Sequence, residues 1–195
     1  MDEFAFIEKL RKRVPRSKHV LKGIGDDAAV LKGVGRGSLV IATDMLVEGV
    51  DFVLGKLSPE KIGRKALAVN LSDLAAMGAE PFVFVLSVGK PEYITVKWLD
   101  RFYDGMLKLA EECEIGCVGG DFSRSKEFSA SVTVLGRAVD PVLRSGAKSG
   151  DYVGVTGVLG GSIRRHHYSF LPRLREGKFL AGAGRVNSMI DISDG

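Results

Sequence analysis

Hydrophobic and polar positions divide the chain into segments with strand periodicity and segments with helix periodicity. Apolar residues at helical spacing predict helices over residues 4–14, 66–78 and 95–112, and another after the glycines at 157–161, through about residue 175. Continuous or alternating runs rich in β-branched residues predict strands. The predicted strands cover residues 20–31 with an interruption at 23–27, 38–47, 81–89, 115–118, 128–139 and 152–156. Strands and helices therefore alternate along the chain.

The segment 66–78 is the most informative of these helices because it is apolar on nearly all sides. Ser58 is a candidate N-cap, Pro59 suits the first helical position, and Gly78 ends the helix. Asp73 is the exception, since a charge inside an apolar helix must be paired or must hold a metal. Both interpretations of Asp73, a salt bridge to a nearby basic residue and a metal ligand, stay open at this point.

Composition is that of an ordinary globular protein. The chain has 195 residues, of which 45% are hydrophobic and 27% charged, and this length suits one large domain or two small ones. A net charge of +4 slightly favours anionic ligands. Dense basic runs with interleaved aromatic residues are missing, so nucleic acid is not expected as a partner.

Cysteine usage and hydropathy indicate the compartment. Cys113 and Cys117 are four residues apart and have no second pair, so a disulfide framework or a zinc site is not expected. The sequence has neither a secretory signal nor an apolar run of membrane-spanning length. We therefore expect a cytoplasmic protein with buried or idle thiols and no membrane partner.

A change in composition near Pro141 predicts a domain boundary. Residues 1–139 form the predicted first domain, and residues 140–195 form the beginning of a second one, which is too short to stand alone. A strand followed by glycines and a helix in this second part could cradle a phosphate. The spacing of Gly154, Gly157 and Gly160 is not the dinucleotide fingerprint, so an NAD site is not favoured.

Acidic residues recur where predicted strands end beside glycine or hydroxyl residues. They are Asp26, Asp27, Asp44, Asp121, Asp191 and Asp194. Each alone is typical of a turn, and Asp26 is better interpreted as orienting its loop. Together with Asp73 they would repel one another by roughly 4 kcal/mol per pair at about 4 Å if folding gathered them. Magnesium would relieve this repulsion, so we expect a metal-bridged phosphate site.

Six motifs together resemble the thiamine-monophosphate kinase family of the aminoimidazole-ribonucleotide-synthetase superfamily. They are Gly-Ile-Gly-Asp-Asp-Ala-Ala-Val at 23–30, Ala-Thr-Asp-Met-Leu-Val-Glu-Gly-Val at 42–50, the segment 65–78, Gly-Gly-Asp at 119–121, Arg-Ser-Gly-Ala at 144–147 and Asp-Ile-Ser-Asp-Gly at 191–195. The motifs follow the order of that family and span nearly the whole chain.

The resemblance implies transfer of the γ-phosphoryl group of ATP to thiamine monophosphate. It implies magnesium ions held by Asp27, Ala42 (through its backbone oxygen), Thr43, Asp44, Asp73, Asp121, Asp191 and Asp194. It implies contacts with ATP from Tyr103, Gly120, Asp121, Arg144 and Ser193, and catalytic roles for Asp44, Asp73, Asp121 and Arg144. The implied fold is an α/β (α+β) N-terminal domain, a mixed sheet with packed helices that dimerises into a barrel, followed by the start of a C-terminal α/β domain.

The implied chemistry suits these residue types. The acceptor is a phosphate monoester whose second pKa is about 6, so it is already a nucleophile at neutral pH. The aspartates are therefore expected to be metal ligands, and Arg144 to neutralise charge. One departure concerns Asp51, which stands where many members of the family have a histidine that touches thiamine phosphate. A carboxylate there needs a nearby cation, or faces the thiazolium instead.

Two other functions stay open from the sequence. One is a non-catalytic, dimerising remnant that binds a nucleotide. The other is a hydrogenase-maturation carbamoyl dehydratase of the same superfamily, which shares the loop at 23–30. Selenophosphate synthetase is disfavoured because it needs an early reactive cysteine, and no cysteine precedes Cys113.

Overall fold

A mixed sheet flanked by helices forms the body of the molecule. The computed structural model describes residues 8, 17–32, 37–162 and 166–192. Its strands are β1 (Val20–Lys22), β2 (Ala29–Lys32), β3 (Ser38–Val47), β4 (Glu80–Lys90), β5 (Gly116–Arg124) and β6 (Ser129–Ala138). Its helices are α1 (Pro59–Ala76), α2 (Val96–Glu112), α3 (His166–Ser169) and α4 (Leu174–Gly182), and a 3-10 turn covers Arg144–Gly146.

The six strands form one sheet in the order β1-β2-β3-β6-β4-β5. Neighbouring strands are antiparallel except β4 and β5, which are parallel. The central pair β3–β6 is in continuous register from Ser38 opposite Ala138 to Val47 opposite Ser129. This arrangement confirms the α/β class expected from the sequence.

The core lies between one face of the sheet and the helices α1 and α2. Alternate residues of β3, β4 and β6 point into it, and Phe84, Phe102 and Phe128 are fully buried. The two helices approach closely at Gly63 and Gly105, where an added Cβ would lie 1.9 Å from a backbone oxygen of the other helix. The other face of the sheet is covered by no described helix, so the sheet has one packed face and one open face.

Most predicted elements are observed close to their predicted bounds, and the ends of the helices show why. Thr95 caps α2, since its Oγ1 accepts a hydrogen bond from the Trp98 N–H at 3.2 Å. Ser58 occupies the N-cap position of α1, but its side chain makes no capping hydrogen bond. Pro59 and the fold around α1 therefore set its start. Gly78 leaves the helix with a φ of 66°, as the sequence predicted for its end.

Three predicted elements differ from the structure. Residues 152–156 form no strand, and Tyr152 and Val153 are fully exposed, because no described strand pairs with this segment. The helix predicted through residue 175 is interrupted between α3 and α4, where Pro172 lacks the N–H that a continuous helix needs. Strand β5 continues to Arg124, six residues beyond its predicted end, because β4 pairs with it in parallel.

The first predicted helix, over residues 4–14, lies outside the described residues except for Glu8, which is helical. Within the described part of the chain, no helix combines the length and the hydropathy needed to cross a membrane.

Candidate active site

Three carboxylates from distant parts of the chain meet beside α1. Asp27 belongs to the loop before β2, Asp73 to the last turns of α1, and Asp191 to the end of the described chain. One carboxylate oxygen from each lies within 4.8 Å of the other two. We call these three residues the acidic cluster. At such a separation each pair repels by roughly 3 kcal/mol at an effective dielectric of about 20.

Burial and mutual repulsion change the protonation of the acidic cluster. Burial, and then the charges of Asp44, Asp191 and Asp27, raise the pKa of Asp73 to about 9. Burial and then Asp191 raise the pKa of Asp27 to about 6, while Arg144 opposes this increase. Without a bound cation, Asp73 therefore retains its proton at neutral pH.

The acidic cluster fits a hard cation. Among the described residues, Asp27 Oδ2 is buried and has no hydrogen-bond partner. Arg144 does not satisfy this atom, because its Nη1 lies 3.8 Å from the other oxygen, Asp27 Oδ1. Carboxylate oxygens are the ligands that Mg²⁺ prefers, and a cation would both satisfy Oδ2 and remove the repulsion.

Asn70 holds the functional end of β3 against α1. Asn70 is fully buried, and its Oδ1 accepts the backbone N–H of Asp44 at 2.8 Å. Its Nδ2 donates to the carbonyl of Ala66 at 3.0 Å, which fixes the orientation of the amide. Asp44 thereby lies near enough to raise the pKa of Asp73. Asn70 precedes Asp73 by three residues in α1, and nothing in the sequence reveals this contact with β3.

The two residues before Asp44 do not bring their side chains to the acidic cluster. Ala42 is buried in the core. Thr43 points to the open face, where its Oγ1 lies 3.0 Å from the Val132 carbonyl and 2.9 Å from Thr133 Oγ1. Any contribution of Ala42 and Thr43 to a metal site on the packed face must come from their backbone oxygens.

The loop with Asp26 joins the first strands to the 3-10 turn. Asp26 Oδ1 accepts the backbone N–H of Arg144 at 3.2 Å, and Oδ2 lies 3.2 Å from Lys22 Nζ. The Arg144 carbonyl accepts a hydrogen bond from Ser188 Oγ at 2.8 Å. These contacts connect the loop, the turn and the segment that leads to Asp191, in agreement with a loop-orienting role for Asp26.

A second group of predicted site residues lies at the opposite edge of the sheet. Tyr103 on α2 is half-buried, and Gly120 and Asp121 belong to β5, whose residues are all exposed. Two strands separate β5 from β3, a distance of about 14 Å across the sheet. Asp121 is paired with exposed Ser87 and faces the open side, so it does not join the acidic cluster within one chain. We call β5 and Tyr103 the β5 edge.

Gly120 has a steric reason to be glycine. A Cβ at this position would lie 1.9 Å from the backbone oxygen of Leu86 on β4. The parallel pairing of β4 and β5 therefore depends on the missing side chain.

Asp51 is engaged in the turn after β3. Its Oδ2 accepts the backbone N–H of Val47 at 2.7 Å, and its carbonyl accepts a hydrogen bond from Lys65 Nζ at 3.1 Å. The lysine reaches the backbone carbonyl of Asp51, and the sequence analysis did not single it out. In the sequence, Lys65 could have been noticed as a charged residue within an otherwise apolar helix.

Two further predicted site residues, Ser193 and Asp194, lie outside the described residues.

The mixed sheet, its packed helices and the loops that carry the acidic residues lie mostly within a segment that matches a known protein family. The chain belongs to the AIR synthase related protein family, whose N-terminal domain model matches residues 25–138.

Curated relatives specify the resemblance further. The thiamine-monophosphate kinase of Rhodopirellula baltica is 38% identical over 201 residues, which cover 99% of this chain and 64% of that enzyme. The thiamine-monophosphate kinase of Escherichia coli K12 is 36% identical over 220 residues and covers 99% of this chain and 65% of its own length. The resemblance found in the motifs is thereby confirmed. The chain spans slightly less than two thirds of the length of these relatives.

Solved structures agree with the sequence comparison. The structure of AaThiL complexed with AMPPCP and TMP superposes with a TM-score of 0.80 at 29% identity, over 92% of this chain and 62% of that one. The hydrogenase maturation protein HypE in complex with ATP, at 24% identity and a TM-score of 0.51, shares the fold over 64% of this chain.

Proposed function

We propose that the chain carries the N-terminal part of a kinase that transfers the γ-phosphoryl group of ATP to thiamine monophosphate. The convergence of Asp27, Asp73 and Asp191 is the observation that carries this proposal. It is supported by the names of the relatives and by the AMPPCP, an ATP analogue, and TMP bound to the AaThiL neighbour. A cluster of carboxylates with a nearby arginine suits phosphoryl transfer, which depends on charge neutralisation and positioning.

Magnesium ions are the proposed cofactors. Asp27, Asp73 and Asp191 would hold them, with Asp44, the backbone of Ala42 and Thr43, and Asp194 as further ligands. When bound, such ions neutralise the oxygens of ATP and orient its phosphates for in-line attack.

The residues of the chain then have distinct tasks. Arg144 lies between the acidic cluster and solvent, where it balances the charge of the nucleotide phosphates. The nucleophile is an oxygen of the acceptor phosphate, which is already ionised at neutral pH, so no side chain needs to remove a proton. Asp51 stands at the proposed acceptor contact, with Lys65 as the cation behind it.

The nucleotide contacts are proposed at the β5 edge and at the acidic cluster together. Tyr103, Gly120 and Asp121 would contact ATP from one side, and Arg144 and Ser193 from the other. Because these two groups lie at opposite edges of one sheet, we propose that a homodimer joins the β5 edge of one chain to the acidic cluster of its partner. The open faces of the two sheets would meet in the barrel that the resemblance implies.

The proposed domain boundary stays near Pro141. Residues 1–139 would be the domain that binds ATP and magnesium and dimerises. Residues 140–195 would be the first part of a C-terminal domain, and the protein would act in the cytoplasm.

An acceptor-dependent assay of the purified chain tests the proposal. Thiamine monophosphate, ATP and Mg²⁺ should yield equal amounts of ADP and thiamine diphosphate, measured by chromatography. Unphosphorylated thiamine should yield neither, because it lacks the attacking phosphate, and EDTA should stop the reaction. Tight binding of Mg-ATP without either product would favour a nucleotide-binding remnant. ADP release that is independent of the acceptor would contradict the proposed substrate.

A further inference from the structure

Helix α3 is held on the amino-terminal half of α1 by three basic side chains. They occupy positions i, i+3 and i+4, which lie on one face of a helix. The contacts are Lys61 Nζ 4.6 Å from the ring centre of Tyr168, Arg64 Nη2 3.4 Å from the Phe170 carbonyl, and Lys65 Nζ 2.9 Å from His167 Nε2. One helix face therefore binds a whole segment of the C-terminal part of the chain.

Lys65 is the buried member of this face, with 6% of its surface exposed. Its ammonium donates to the Asp51 carbonyl at 3.1 Å and lies 2.9 Å from His167 Nε2. An ammonium has only donors, so Nε2 must accept, and the proton of the neutral imidazole must reside on Nδ1. A single side chain of α1 thus connects the turn after β3 with α3.

The turn that Lys65 holds is closed on itself. The Asp51 N–H donates to the Val47 carbonyl at 2.9 Å, and Asp51 Oδ2 accepts the Val47 N–H at 2.7 Å. The carboxylate therefore stabilises the turn, and the bond from Lys65 to the Asp51 carbonyl connects the turn with α1. Since α1 also carries Asp73, this bond links the turn with the helix that contributes to the acidic cluster.

We propose that Lys65 and His167 are positioning residues for the phosphorylated acceptor. They fix the Asp51 turn and α3 in one arrangement relative to the acidic cluster, so that the acceptor phosphate meets the nucleotide in a single orientation. This inference rests on the proposed function, because it takes the Asp51 turn as the acceptor contact. It predicts a selective effect on the acceptor, since neither residue lies in the acidic cluster or at the β5 edge.

Steady-state kinetics of Lys65→Met test the inference. We expect the KM for thiamine monophosphate to rise about tenfold, as for loss of a hydrogen bond from a charged group, while the KM for ATP changes less than about twofold. Lys65→Arg keeps the charge and should restore part of the difference. Lys108→Met, at an exposed lysine of α2 away from α3 and the Asp51 turn, is the control and should leave both constants unchanged. An equal rise in both KM values, or no rise in either, would overturn the inference.

A second pair of variants guards against misfolding of Lys65→Met. His167→Gln keeps a hydrogen-bond acceptor near the position of Nε2, and His167→Phe removes this hydrogen-bond acceptor. The KM for thiamine monophosphate should rise only in His167→Phe. A rise in neither variant would also overturn the inference.

Nitrogen-15 spectra of the imidazoles provide a readout that needs no activity. The chain has three histidines, so single substitutions assign them. His167 should be the Nδ1–H tautomer in the unmodified chain and should lose this preference in Lys65→Met. If the chain transfers no phosphoryl group, the proposed function fails, and these spectra alone decide whether Lys65 fixes His167. An Nε2–H tautomer in the unmodified chain would overturn that contact.

Discussion

The acidic cluster and the β5 edge differ in how completely one chain builds them. Asp73 lies in a packed helix, and Asn70 and Arg144 fix its surroundings through hydrogen bonds to β3 and to the Asp26 loop. By contrast, every residue of β5 is exposed, and the strand has a hydrogen-bonded neighbour on one side only. A half-buried group of like charges needs a cation, whereas an exposed strand edge needs a covering surface. The acidic cluster therefore depends on a bound cation, and the β5 edge depends on a second surface that covers it.

The largest expected effect comes from removing a charge of the acidic cluster. Asp73→Asn should abolish phosphoryl transfer, with a loss of at least about 10²-fold. The proposed metal would lose a ligand, and the negative charge of the nucleotide phosphates would no longer be neutralised. Acceptor-dependent ADP release measures the loss. Asp100→Asn, an exposed aspartate of α2, is the control and should retain full activity. Undiminished turnover in Asp73→Asn would contradict the metal role of the cluster.

Mixed dimers test whether the two halves meet between chains. Asp73→Asn and Asp121→Asn should each be inactive alone. Refolded together in equal amounts, they should recover about a quarter of the activity, because half of the dimers are mixed and each mixed dimer has one intact site. Activity that never rises on mixing would place both halves of the site within one chain, against the proposed dimer.

A smaller effect is expected from adding a methyl group to the β5 edge. In Gly120→Ala the Cβ would meet the Leu86 backbone oxygen, so β5 must move away from β4, at a cost of about 1–3 kcal/mol in the free energy of unfolding. Gly116→Ala is the matched control in the same strand, since a Cβ there would meet only a Val118 side-chain atom, at 4.0 Å. Chemical denaturation measures both. Equal stability of the two variants would show that β5 is not held by this close pairing.

The smallest effect concerns pH in the absence of metal. The folded-state pKa of Asp73, about 9, lies far above the ordinary aspartate pKa of 3.8, so the folded chain binds this proton more tightly than the unfolded chain. Stability in EDTA should therefore fall as pH rises from about 4 toward 9. Asp73→Asn should flatten this dependence and be more stable at pH 8 by at least about 1.4 kcal/mol, the equivalent of one pKa unit.

Thermal unfolding at several pH values measures this effect. Added Mg²⁺ should stabilise the original chain at pH 8 and leave Asp73→Asn nearly unchanged. A pH dependence identical in both proteins would mean that Asp73 is not the group responsible.

The sequence predicted the strands of the sheet and the helices packed on it well, as in β3 and α2. In these elements the spacing of apolar residues reflects burial of one face. It failed at residues 152–156, whose apolar pattern is that of a strand although no described strand pairs with it. Motif order identified the acidic residues, but it could not show that Asp121 lies across the sheet from Asp73, because that depends on strand order. Lys65 was overlooked because its proposed role depends on two distant partners, the carbonyl of Asp51 and the imidazole of His167.

The close contact of α1 with α2 at Gly63 and Gly105 has a consequence for motion. Where the two helix backbones touch without side chains between them, little room is left for sliding or rotation, so the pair should move as one rigid body. Any opening that admits a nucleotide then has its hinges in the connecting loops, such as residues 23–27. Hydrogen exchange in the helices should accordingly be slow and unaffected by ligand, while the amides of those loops become protected on binding.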